Sequence, residues 1–123
     1  MEKLIGINTQ LGIMHGRDAI FLDKINFDNE SEVTLTGELN SDKGDRQFRM
    51  NFKGVVFLST IELDFDERNE MESLAIIENS EKLKVFRMAD HSSKTNDEHK
   101  HYYVRTYDTV FEIVSDRFEI ELK

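Results

Sequence analysis

Cysteine is absent from the 123 residues of this chain. Disulfides, thiolate zinc sites and a cysteine nucleophile are thereby excluded. The absence also fits a reducing compartment. Proline is absent too, where average usage would supply about six. Turns must come from Gly, Asn, Asp and Ser. Basic residues are outnumbered: 16 Lys and Arg face 25 Asp and Glu, for a net charge of −9. That balance opposes phosphate backbones and anionic membranes and leaves basic partners open. No uninterrupted apolar run approaches the roughly 18–20 residues of a membrane-spanning helix. In the opening stretch MEKLIGINTQLGIMHGRDAIF, Asn8, Thr9 and Gln10 interrupt the apolar residues, unlike the apolar centre of a secretion signal. The expectation is a soluble cytoplasmic protein that binds neither nucleic acid nor membrane.

Nine Phe and three Tyr argue against disorder. The length is that of one domain, enough to bury roughly two-thirds of the unfolded surface. The dominant pattern is period-two alternation, the mark of half-buried strands in antiparallel sheets. Val33, Leu35 and Leu39 alternate with Glu32, Thr34, Thr36 and Glu38. Phe48, Met50 and Phe52 alternate with Gln47, Arg49, Asn51 and Lys53. Ala19, Phe21, Ile25 and Phe27 are expected to share a face. Turn residues fall between these runs at 15–18, 28–31 and 40–45, which suits a meander.

Two changes of parity stand out. The apolar set is even-numbered up to Phe52, then odd at Phe57, Ile61, Leu63 and Phe65. A strict strand cannot change face, so a long strand bent at Gly54 is expected, curling the sheet. A second flip separates Phe111 and Ile113 from Phe118, Ile120 and Leu122, and predicts a bulge near Ser115-Asp116. Between them, Met71, Leu74 and Ile77, then Leu83 and Phe86, are spaced for one or two short helices, with Asn79 or Ser80 as a cap. The polar stretch 89–100 reads as a loop. Tyr102, Val104, Phe118, Ile120 and Leu122 are expected in the core.

Three clusters could carry chemistry. His99 and His101, with His91 upstream and Asp90, Asp97 or Glu98 nearby, could approach a metal, but no HExxH or CxxC supports that. No metal and no cofactor is expected. Glu62, Asp64, Asp66, Glu67, Glu70 and Glu72 crowd one segment; Asp64-x-Asp66 begins like a calcium loop, but Arg68 and Asn69 break the pattern. These six acids are the candidate surface for a basic partner. Tyr103, Arg105 and Tyr107 could stack a planar ligand, although cross-strand packing explains them as well. Arg46, Arg49 and Lys53 make a small basic stripe at most. No G-x-S-x-G elbow, P-loop or GxGxxG is present, and no catalytic residue is assigned.

The closing segment HYYVRTYDTVFEIVSDRFEIEL, His101–Leu122, resembles the C-terminal segment of a family of small uncharacterised bacterial proteins. His101-Tyr102, Tyr107-Asp108, Val110-Phe111-Glu112 and Phe118-Glu119 carry the resemblance. It implies a stand-alone bacterial domain and attaches no activity.

Taken together, residues 1–123 read as a single β-rich (α+β) domain. The expected architecture is a curled antiparallel sheet, sandwich or partly open barrel of about seven strands, with one or two short helices. The expected function is a non-catalytic intracellular interaction module, of the kind that neutralises a toxin, binding a basic protein through its acidic surface. A small-ligand-binding barrel lined by Phe21, Phe27, Phe48, Phe52, Phe57 and Phe65 is the alternative. A small enzyme joining His101 to Glu62 or Asp64 comes third.

Overall fold

A computed structural model describes residues 1–68 and 71–123. The alternating runs form strands, and the described residues hold eleven rather than about seven. They are β1 (Lys3–Gly6), β2 (Asn8–Thr9), β3 (Gly12–Ile13), β4 (Ile20–Asn29), β5 (Glu32–Ser41), β6 (Gly44–Lys53), β7 (Phe57–Glu62), β8 (Leu74–Glu78), β9 (Lys100–Arg105), β10 (Thr109–Ser115) and β11 (Arg117–Leu122). One α-helix, α1 (Glu81–Ala89), and one 3-10 turn (Leu63–Phe65) complete them. The fold is β-rich and antiparallel, as its alternation predicts. The strand count rose because what reads as one bent strand is two strands, and because short pairings such as β2 with β3 leave no apolar period.

Two sheets share one core. The first has strand order β1-β8-β9-β10-β7 and the second β11-β6-β5-β4. They do not close into a barrel. Met14, Ile20, Leu35, Leu39, Met50, Phe52, Leu74, Val104 and Ile113 are buried between them. Burial of each such side chain contributes roughly 1.5–3 kcal/mol. Tyr102 lies in this core, and Phe118, Ile120 and Leu122 pack against it. No helix among the described residues is long and apolar enough to cross a membrane.

The two parity flips prove to be one corner seen on two strands. β6 pairs with β11 in the second sheet, and β7 pairs with β10 in the first. The chain passes from β6 to β7 and from β10 to β11, so a two-stranded ribbon leaves one sheet and enters the other. The expected bend at Gly54 and bulge at Ser115-Asp116 are therefore sheet switches. The Asp116 N–H donates to the Lys53 carbonyl at 3.1 Å and the Val56 N–H to the Val114 carbonyl at 2.9 Å, which keeps the ribbon paired through the turn. Gly54 has φ +64, and a Cβ there would overlap the Asp116 carboxylate. Only glycine fits.

Two local expectations change. A register shift between Leu22 and Lys24 breaks the alternation of β4. Phe21 therefore leaves the face of Ile25 and stacks on Tyr107, ring centres 5.3 Å apart. Opposite the shift sits Gly37, where any Cβ would overlap the Phe21 carbonyl oxygen. Residues 74–78, spaced as a helix, form β8 instead. Leu74 and Ile76 face the core while Ala75 and Ile77 pack with Tyr103 and Val110 on the other side. A strand covered on both faces has no period of two to read.

Candidate functional site

The outer face of the first sheet is covered at two places. Near one end lies α1, whose Phe86 ring sits 5.3 Å from Phe57 of β7. Near another runs the segment after β7, which brings Leu63 against Tyr103, Val110 and Ala75. Odd-numbered residues of β9 and even-numbered residues of β10 point to this side. Two of their polar members, His101 and Glu112, lie among the covering elements.

They anchor a chain of contacts. Ser80 caps α1: its Oγ accepts the Leu83 N–H at 3.0 Å. The Glu112 carboxylate only accepts, so Nε2 of His101 carries the ring proton and donates to Glu112 Oε1 at 2.7 Å. With the single ring proton there, Nδ1 is the acceptor for the Ser80 hydroxyl, 2.6 Å away. Arg68 donates to Glu112 at 3.2 Å and to Glu2 at 2.8 Å, and Glu2 in turn accepts the Glu81 N–H at 2.9 Å. Ser80 and His101 are 4% and 1% exposed, so each polar atom there needs a protein partner.

Charge in this chain is mutually held. The His101 hydrogen bond, with Arg68 beside it, keeps the Glu112 carboxyl below its ordinary range against the opposing effect of burial. Burial works against the Arg68 charge, but Glu112 and Glu2 hold its pKa above the usual value. Beside the chain, the Tyr103 hydroxyl donates to Asp66 at 2.5 Å. Burial first, and that bond second, push the phenol far above its ordinary pKa.

The six acids expected to form a partner surface divide. Glu62, Asp64 and Glu67 are exposed, and Glu62 accepts the Asp64 N–H at 3.2 Å to start the 3-10 turn. Asp66 is turned inward to Tyr103 and is half-buried. Glu72 is half-buried and forms a backbone bridge with His15. Glu70 lies outside the described residues. Between the exposed acids, Phe65 stands 71% exposed on the 3-10 turn, and Ile61 of edge strand β7 is 39% exposed.

The histidines do not gather with the nearby acids. His99 is buried, accepting the Asn96 N–H at Nδ1 (2.9 Å) and meeting the Gly54 carbonyl at Nε2 (3.1 Å). His91 is exposed in the loop after α1. Among the described residues no three His, Asp or Glu side chains are grouped to hold a metal. His101 is joined to Glu112, not to Glu62 or Asp64. Tyr103 is buried, and Tyr107 carries Arg17 over its ring at 4.4 Å, so the Tyr103–Arg105–Tyr107 row is no open stacking platform.

The six phenylalanines do not converge on a lumen. Phe48 and Phe52 fill the core, Phe57 packs on α1, Phe21 stacks on Tyr107, and Phe27 is 62% exposed like Phe65 near the other end. The sequence marks Ser80 only as a helix cap, and Glu112 and Arg68 not as site residues. One signal was there: Glu112 is the single charge in TVFEIVS, flanked on both sides by the apolar pairs Val110-Phe111 and Ile113-Val114. A carboxylate in such a run needs a buried partner.

Comparison with known proteins adds nothing to this chain: no family model, no curated protein and no solved structure matches it, so its function has to be argued from these side chains.

Proposed function

We propose that the chain is a protein-interaction module that docks a basic protein through the acidic turn after β7. The observation that carries this is the exposure of Phe65, 71%, between the open carboxylates of Glu62, Asp64 and Glu67. Aromatic residues that seat in a partner's pocket dominate interface energies, and surrounding charges steer the encounter. Here the charges are negative, on a chain of net charge −9. The matching surface is an apolar pocket ringed by Lys and Arg. A basic enzyme held inactive in the cytoplasm, as in toxin neutralisation, has that chemistry.

The test uses the immobilised full chain and its Phe65→Ser and Asp64→Lys variants against lysate, with bound proteins identified by mass spectrometry. A basic protein should be retained at low salt. Phe65→Ser should weaken its binding tenfold or more, roughly 1.4 kcal/mol. Asp64→Lys should slow association and blunt the salt dependence. Identical retention by all three chains, or retention of acidic proteins only, refutes the reading.

A further inference from the structure

We propose that Ser80 is a nucleophile, activated by His101, that cleaves short-chain acyl esters in the groove beside α1. The order and direction of the contacts lead to it. The Ser80 hydroxyl donates to His101 at 2.6 Å and the imidazole donates to Glu112 at 2.7 Å. A hydroxyl, an imidazole and a carboxylate joined in this sense activate serine on several unrelated folds. The ring is reversed relative to the commonest arrangement, with Nδ1 toward the hydroxyl and Nε2 toward the acid. Either nitrogen can accept the proton.

The backbone supports the same role. β8 ends at Glu78, Asn79 turns the chain with φ +57, and Ser80 begins α1. A strand, a left-handed residue and a helix start put the hydroxyl on a sharp turn, as in nucleophile elbows, without the G-x-S-x-G sequence. His101 comes from β9 and Glu112 from β10, the next two strands. Arg68 donates to the same Glu112 oxygen, Oε1, that the imidazole meets, and so helps to fix the acid beside the ring. Beside Ser80 opens a groove of about 350 Å³, lined in part by Asn79, Leu83, Lys84, Lys100 and His101. Its volume suits a short acyl group, with Leu83 as apolar contact. The Glu81 N–H is engaged by Glu2 and the Leu83 N–H by Ser80.

In the reaction, the Ser80 Oγ–carbonyl carbon bond forms as the hydroxyl proton passes to His101 Nδ1. The ester C–O bond then breaks, and the leaving oxygen takes that proton as an alcohol. Water next attacks the acyl carbon, giving its proton to His101. Ser80 departs, regains the proton, and a carboxylic acid is released. Glu112 stays ionised throughout and stabilises the imidazolium.

The experiment incubates the full chain with a fluorophosphonate probe and maps adducts by mass spectrometry. The Oγ–P bond forms, P–F breaks, the proton goes to His101 and fluoride leaves. One adduct per chain at Ser80 is expected, absent from urea-unfolded protein. Labelling should fall roughly 100-fold in a folded His101→Gln variant. Hydrolysis of p-nitrophenyl acetate by the unaltered chain should stop in proportion to labelling, which needs no variant. The proposal is overturned by no adduct at Ser80, by adducts spread evenly over other serines, by an undiminished rate in folded His101→Gln, or by hydrolysis that survives full labelling. The isolated chain is used, so failure here leaves the docking surface untouched.

Discussion

On the second sheet, the outer face of β4, β5 and β6 carries a polar row in which Asn51 and Thr34 are buried but their carboxylate partners, Asp28 and Glu32, reach solvent. Asn51 donates to Glu32 and Thr34, each at 3.0 Å, and Thr34 donates to Asp28 at 2.6 Å. On the first sheet, the outer face carries an equally polar row, Ser80, His101, Glu112, Arg68 and Glu2, but α1 and the segment after β7 lie over it. The hydrogen bonds are of similar length, although among the described residues the first sheet's row includes ion pairs and the second's does not. The rows differ also in the alternative each group has when its partner is lost. Beside Asn51, the exposed Asp28 and half-buried Glu32 can turn to water. Beneath α1, His101 is 1% exposed and has no comparable freedom. A polar network constrains the fold in proportion to how little water can replace it.

The largest expected break in that contrast is Glu112→Ala. It strands His101 and removes one of the two carboxylates on Arg68. Losing one partner of a buried pair costs about 3–5 kcal/mol. The Glu112 side chain is 19% exposed, which places the loss near the lower end, about 3 kcal/mol, read as a shift of the urea midpoint. Asn51→Ala on the other sheet should cost about 1 kcal/mol by the same measurement. Equal losses would erase the distinction between the two faces.

The smallest effect is a change of slope with pH. Glu112 has a folded pKa below its ordinary value of 4.5. Its stabilisation is complete above that value and is lost as pH falls through the lower folded one. Stability of the unaltered chain should decline from about pH 5 downward, and Glu112→Gln should flatten that decline. An unchanged slope would mean that other carboxylates, Asp28 and Glu2 among them, carry the acid sensitivity.

Alternation was enough to read β5 and β6 and their inward residues, because each has one wet face. It was not enough for β8, whose two faces are both covered. A corner and a bulge produce the same parity flip on a single strand, so Gly54 and Asp116 were legible as irregularities but not as one shared turn. The exposed acids were legible as a patch. Asp66 was not distinguishable from them, since its inward turn depends on Tyr103, 37 positions away. Ser80 was legible as a cap and His101 as a strand residue. Their junction with Glu112 depends on how β9 pairs with β10, which no local pattern encodes.

The shared corner also constrains the order in which the molecule can assemble. Through it, the far edge of β6 and the whole of β7, near the middle of the chain, gain partners only when β10 and β11, much later in the chain, have arrived. β1 likewise waits for β8. Pairings between such distant stretches form slowly, because the loop must close before any contact rewards it. During synthesis the β4–β5–β6 meander can form early, with its apolar side unroofed until the final strands emerge.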